Sequence, residues 1–95
     1  MNENDQMIKF EIMISNTKGM HARASAKFVE VVESFDAECE ISKDGISVSG
    51  DSIMGLLMLA ASKGSFIHIQ VRGKESVAMA TAIKKLINNN FEEDF

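Results

Sequence analysis

The sequence predicts an α+β fold, an open-faced β-sandwich in which a four-stranded antiparallel sheet carries three helices on one face. Three observations lead there. Apolar and polar residues alternate in some segments, apolar residues recur at helical spacing in others, and the segments follow one another as β-α-β-β-α-β-α. Strands with one apolar face and helices with one apolar stripe bury both by stacking in two layers, which leaves the far side of the sheet to water. The 95 residues suffice for one such domain.

The first strand covers residues 7–15, where Ile8, Phe10, Ile12 and Ile14 share one side and Lys9 and Glu11 the other. Thr17-Lys18-Gly19 reads as a turn. From 22 to 35 the period becomes helical: Ala24, Phe28, Val31 and Phe35 form a stripe, Val29 and Val32 stand beside it, and Glu30 and Glu33 face water. Ala37, Cys39 and Ile41 then alternate with Glu38, Glu40 and Ser42 as a second strand. Asp44-Gly45 is a hairpin turn signal, and Ile46 and Val48 continue as a third strand.

The run IMGLLMLAA after Ser52 is too short and too rich in Met and Leu for another strand. Ser52 suits a helix cap, since its hydroxyl can accept an unpaired backbone N–H, and Lys63-Gly64 closes the element. Residues 66–72 alternate again, with Ile67, Ile69 and Val71 inward and His68, Gln70 and Arg72 outward. Over 75–88, Val77, Ala80, Ile83 and Ile87 share a helical face, with Lys84 and Lys85 outside. The domain thus spans 7–90. It lies between a flexible N-terminus, 1–6, and an acidic tail, 91–95, to which no structure is assigned. The pairs Glu38/Glu40 and Glu92/Glu93 read as solvated charge.

Composition narrows the function. At 45% hydrophobic and 25% charged residues, the chain is an ordinary folded one. No apolar run is long enough to span a membrane, and residues 1–6 do not resemble a signal peptide. The single cysteine, Cys39, excludes an internal disulfide and reads as a small buried hydrophobe. With two separated histidines it provides no metal cluster, so neither metal nor cofactor is expected and the cytoplasm is the expected compartment. A net charge of −4, with Trp and Tyr absent, disfavours an RNA-binding domain of similar element order. A stand-alone enzyme is disfavoured too, because no second acid or base accompanies the candidate nucleophile.

That nucleophile is His21, within NTKGMHARASAKF, where a turn gives way to a helix. The first N–H groups of a helix lack intrahelical partners and favour anions. The same field disfavours imidazolium, so the ring keeps a lone pair to react with. Arg23 adds a forked cationic donor suited to phosphate oxygens, Lys18 and Lys27 extend the basic cluster, and Gly19 permits a tight reversal that leaves backbone N–H groups free. These features suit a phosphoryl group carried on the imidazole. The plain alternative is a solvated helix-start histidine beside an ordinary surface arginine.

Gly19-Met20-His21-Ala22-Arg23 and the following amphipathic helix resemble the active-site signature of the HPr family, the histidine-containing phosphocarriers of the bacterial phosphotransferase system. Ser52-Ile53-Met54-Gly55, its Leu/Met-rich continuation and Lys63-Gly64 resemble the family's regulatory serine and short helix. The resemblance implies that His21 is phosphorylated on Nδ1, that Arg23 assists at the phosphoryl group, and that Ser52 is a regulatory phosphorylation position. It further implies that Met20, Ile53, Met54 and Leu57 present an apolar surface to partners. Those partners would be an enzyme I-type donor, an enzyme IIA-type acceptor and an HPr kinase/phosphorylase, with the chain itself a monomer that binds neither nucleic acid nor membrane.

Two positions depart from the common family pattern. Ala24 stands where many members have proline, and the form HARASAKF resembles the nitrogen-related NPr branch, which implies a regulatory role. Asp51 stands where many relatives have lysine, which leaves phosphorylation of Ser52 open against its simpler role as a cap. A regulatory binding module acting through the Ser52 helix surface, without phosphotransfer, is the alternative function.

Overall fold

The alternation of residues 6–13 does what its period requires. In the computed structural model, which describes residues 6–93, Gln6–Met13 forms β1 and turns Ile8, Phe10 and Ile12 toward the helices. Gln6 therefore belongs to the sheet and not to a flexible N-terminus, while the rest of that segment, 1–5, lies outside the described residues. The other elements are α1 (Ala22–Glu33), β2 (Glu38–Lys43), β3 (Ile46–Ser49), α2 (Ile53–Leu59), β4 (Phe66–Gly73), α3 (Ser76–Asn88) and a one-turn element, Asn90–Glu92.

The sheet is antiparallel throughout, in the order β1-β4-β2-β3. Asp44 and Gly45 join Lys43 to Ile46 with φ of 51° and 83°, the positive values that a two-residue hairpin of primed type requires. Ile67, Ile69 and Val71 of the central strand β4 meet Cys39 and Ile41 of β2 on the covered face. Lys9, Glu11, Glu38, Glu40, His68 and Gln70 stand on the open face, where Glu11 and His68 pair at 3.2 Å. Cys39 is inert: burial first, then the Asp51 and Glu40 charges, push its thiol up to about 12.

Two helical stripes keep most of their expected members but widen to one side and lose an edge. In α1 the core side is Ala24, Ser25, Phe28, Val29 and Val32, while Val31 is half-buried and Phe35 lies beyond the helix. In α3 it is Ser76, Met79, Ala80, Ile83, Leu86 and Ile87, and Val77 is exposed. In both, a small serine occupies the close approach to the core. Ser25 is accommodated because its Oγ donates to the Met20 carbonyl at 3.2 Å. α2 ends at Ala60, earlier than Lys63-Gly64, because Ala60 adopts the left-handed cap conformation (φ 52°) that turns buried Ala61 into the core.

The last segment corrects the expected boundary at residue 90. Phe91 is fully buried in the main core, so residues 91–93 belong to the fold, and of this segment 94–95 lie outside the described residues. Asn90, Phe91 and Glu92 all have positive φ, 54°, 56° and 62°. Residues with a β-carbon resist this left-handed turn at roughly 1–2 kcal/mol each. Burial of the Phe91 ring outweighs much of that, since covering such a side chain stabilises by about 1.5–3 kcal/mol. Three hydrogen bonds add to it. Lys27 Nζ donates to the Phe91 carbonyl at 2.9 Å, Ser15 Oγ to Asn90 Oδ1 at 2.7 Å, and Asn16 Nδ2 to Glu93 Oε1 at 2.7 Å.

Candidate functional site

His21 is the N-cap of α1, with extended backbone (φ −75°, ψ −177°) and its carbonyl accepting from Ser25 N–H at 2.9 Å. The approach to it depends on Gly19. With φ of +64°, Gly19 packs so closely on the chain after α2 that an added Cβ would lie 2.4 Å from the Ala61 carbonyl oxygen. The turn does not leave its amides free, as expected from the glycine. Gly19 N–H donates to the Asn16 carbonyl at 3.2 Å and Met20 N–H to the Ala61 carbonyl at 2.8 Å. These bonds hold the His21 backbone rigidly against the end of α2.

The ring makes two bonds. Nδ1 accepts from the Arg23 backbone N–H at 3.2 Å, so it carries a lone pair and no proton. Nε2 lies 2.8 Å from Glu93 Oε2, a carboxylate that accepts, so Nε2 carries the proton. These partners assign a neutral imidazole with its basic nitrogen at the helix start. The side chain is 26% exposed, enough for one edge to meet a partner.

Glu93 is not the solvated charge its sequence context suggests. Its side chain is only 3% exposed, and it bridges His21 and Asn16. Burial pushes this carboxyl up, but the hydrogen bonds from His21 and Asn16, with the Lys18 charge nearby, outweigh it and hold the group below the usual glutamate range. Asn16 is itself buried, and its Nδ2 donates both to Glu93 and to the Gly19 carbonyl at 2.8 Å, while its Oδ1 has no partner among the described residues. The Asn16–Glu93 pair is the part of the site that sequence reasoning missed. Its signal was Phe91, a large apolar residue beyond a helix end that had to be buried somewhere.

Arg23 is exposed on the same first turn of α1. Lys27 does not join it as anion-binding charge, because its ammonium is occupied by the Phe91 carbonyl and by Glu92 at 3.5 Å. At the other predicted position, Ser52 caps α2, its Oγ accepting from Gly55 N–H at 3.0 Å. Asp51 beside it accepts from Ser49 Oγ at 2.6 Å. Gly55 sits over Val48 of β3, where an added Cβ would approach to 2.9 Å. Leu56 and Leu59 are buried, whereas Ile53, Met54 and Leu57 are exposed with Met58. Met20 departs from the expected surface: it is 5% exposed and packs in the core cluster, with its N–H bonded to the Ala61 carbonyl.

Comparison with known proteins identifies the family. A family model described as PTS HPr component phosphorylation site matches residues 8–89. The phosphocarrier protein HPr of Neisseria meningitidis serogroup A is 42% identical over 87 residues, covering 92% of this chain and 98% of the relative. The phosphocarrier protein NPr of Klebsiella oxytoca is 38% identical over 88 residues, covering 92% and 98%. A crystal structure of HPr from Thermoanaerobacter tengcongensis superposes with a TM-score of 0.88 at 31% identity, covering 93% of this chain and 99% of that one. The resemblance carried by the His21 and Ser52 blocks thus extends along the whole folded chain, which belongs to the HPr family of phosphotransferase-system phosphocarriers, proteins that carry a phosphoryl group and are not themselves catalytic enzymes.

Proposed function

We propose that His21 accepts a phosphoryl group on Nδ1 from an enzyme I-type protein, itself charged from phosphoenolpyruvate, and passes it to an enzyme IIA-type protein. The observation that carries this reading is the state of the ring. An Nδ1 lone pair lies at a helix start where N–H groups favour an oxyanion, with exposed Arg23 on the same turn. Arg23 would stabilise the phosphoryl oxygens as charge redistributes. In-line transfer between proteins needs a docking surface, and exposed Ile53, Met54, Leu57 and Met58 on α2 suit that task; flexible thioethers fit partners of differing shape.

The branch we propose is the nitrogen-related one, on the strength of HARASAKF, with Ala24 at the position after the arginine, and of the likeness to an NPr. A single chain supplies the groups named here, so a monomer suffices, and the family points to the cytoplasm as its place of action. Ser52 would act as a regulatory position on the same docking face. A phosphate at that helix start would be electrostatically welcome, while the neighbouring Asp51 opposes it. The second reading, a binding module without phosphotransfer, is favoured only by the apolar α2 surface. Incubation with phosphoenolpyruvate and an enzyme I-type protein, followed by mass measurement before and after acid, separates the two. An acid-labile gain of one phosphoryl group supports phosphotransfer, and an unchanged mass leaves the binding module.

A further inference from the structure

We infer that Glu93 is a positioning residue for phosphoryl transfer: through Nε2 it holds His21 in the tautomer whose lone pair lies on Nδ1, and it receives the positive charge that the ring gains as the phosphoryl group arrives. This rests on the reading of His21 as acceptor and names how the ring is prepared.

The argument begins with donors and acceptors. A neutral imidazole can carry its proton on either nitrogen, and its neighbours select between them. The Arg23 amide can only donate, which reserves Nδ1 as acceptor; the Glu93 carboxylate can only accept, which places the proton on Nε2. Without Glu93 the second preference disappears. In the transfer step, the Nδ1 lone pair forms the bond to phosphorus while the donor's bond to phosphorus breaks, its electron pair leaving with the donor. Nδ1 has no proton to lose and Nε2 keeps its own, so the ring passes from neutral to a phospho-imidazolium cation. A carboxylate 2.8 Å from Nε2 and almost shut off from water meets that charge. The logic is that of the aspartate behind the histidine of a Ser-His-Asp triad, which orients the ring and stabilises its cation.

The surroundings show that this contact is built. Glu93 reaches the ring only because three successive residues accept positive φ, and such strain persists only where neighbours over-determine it. Phe91 in the core, Lys27 on its carbonyl, Ser15 on Asn90 and Asn16 on Glu93 itself provide that determination.

The test compares the unaltered chain with Glu93→Ala and Glu93→Gln. Alanine removes both bonds. Glutamine has one accepting oxygen where two donors, Asn16 Nδ2 and His21 Nε2, need acceptors, so it breaks one of them. Nitrogen-15 NMR of the neutral imidazole should show the proton on Nε2 in the unaltered chain and a larger share of the Nδ1–H tautomer in folded Glu93→Ala, where the Arg23 amide alone still selects. The rate of phosphoryl acceptance at saturating donor should fall about tenfold, the scale of one hydrogen bond to a charged group, with the half-saturating donor concentration unchanged. Glu92→Gln, which alters the exposed neighbour, should change neither. The inference is overturned if the unaltered ring carries its proton on Nδ1, or if folded variants keep both the Nε2–H tautomer and the rate. A proton on Nδ1 in the unaltered chain overturns the inference even where a variant does not fold. The tautomer is also independent of phosphotransfer, so a chain that takes up no phosphoryl group counts against the proposed function and not against the hold on the ring.

Discussion

The starts of α1 and α2 use one backbone device and arrive at different chemistry. His21 and Ser52 both stand at an N-cap in extended backbone, and both accept an N–H from the first turn, at 3.2 Å and 3.0 Å. A hydroxyl in that place has done its work once Gly55 N–H is bound. An imidazole has a second nitrogen, and the chain brings a buried carboxylate from 72 residues away to occupy it. The flanks differ as well: Arg23 follows His21, while Asp51 precedes Ser52 and Ile53, Met54 and Leu57 lie bare beyond it. Capping alone therefore does not make a reactive centre. On the function proposed above, what reaches the rest of the capping side chain from elsewhere in the fold makes the difference.

The most severe way to break this comparison is to exchange the reactive cap. His21→Ala should abolish the acid-labile mass gain completely, whereas any retained labile phosphate would move the reaction to another residue. Next in size, Phe91→Ala should lower unfolding stability by about 3–5 kcal/mol in a denaturant titration, since the ring is fully buried. Arg23→Ala should slow acceptance by roughly 10²-fold, the cost of removing one charge-stabilising donor, as read from single-turnover kinetics. Ser52→Ala should cost only about 1 kcal/mol of stability and leave His21 phosphorylation intact, while Ser52→Asp, another good cap, should restore the melting temperature.

The smallest effect sharpens the contrast through pH. The Glu93 carboxyl is held below its ordinary value near 4.5, so folding binds its ionised form preferentially. Its contribution is complete above that ordinary value and is lost as pH falls through the lowered one. Glu93→Gln should remove this part of the acid dependence of unfolding, and Ser52→Ala should leave it in place.

Much of this was legible in local pattern. Alternation in β1, β2 and β4, the Asp44-Gly45 turn and the Ser52 cap each depend on residues a few positions apart, and each formed as the pattern requires. Ala24, Phe28, Ala80, Ile83 and Ile87 were legible as core, while buried Ser25 and Ser76 were missed because an apolar count passes over them. At the candidate site, the helix-start place of His21 and Arg23 and the exposure of Ile53, Met54 and Leu57 were legible in the motifs. Glu93 was not, because an acidic residue near a chain end looks solvated until Phe91 anchors it. Met20 failed for the reverse reason: its neighbours are in the motif, but it packs in the core cluster, with its N–H bonded to the Ala61 carbonyl.

The position of Glu93 has a practical corollary for handling the molecule. A label attached at Asn90 disturbs the turn that carries the carboxylate to the imidazole, and kinetics measured with it describe the altered turn.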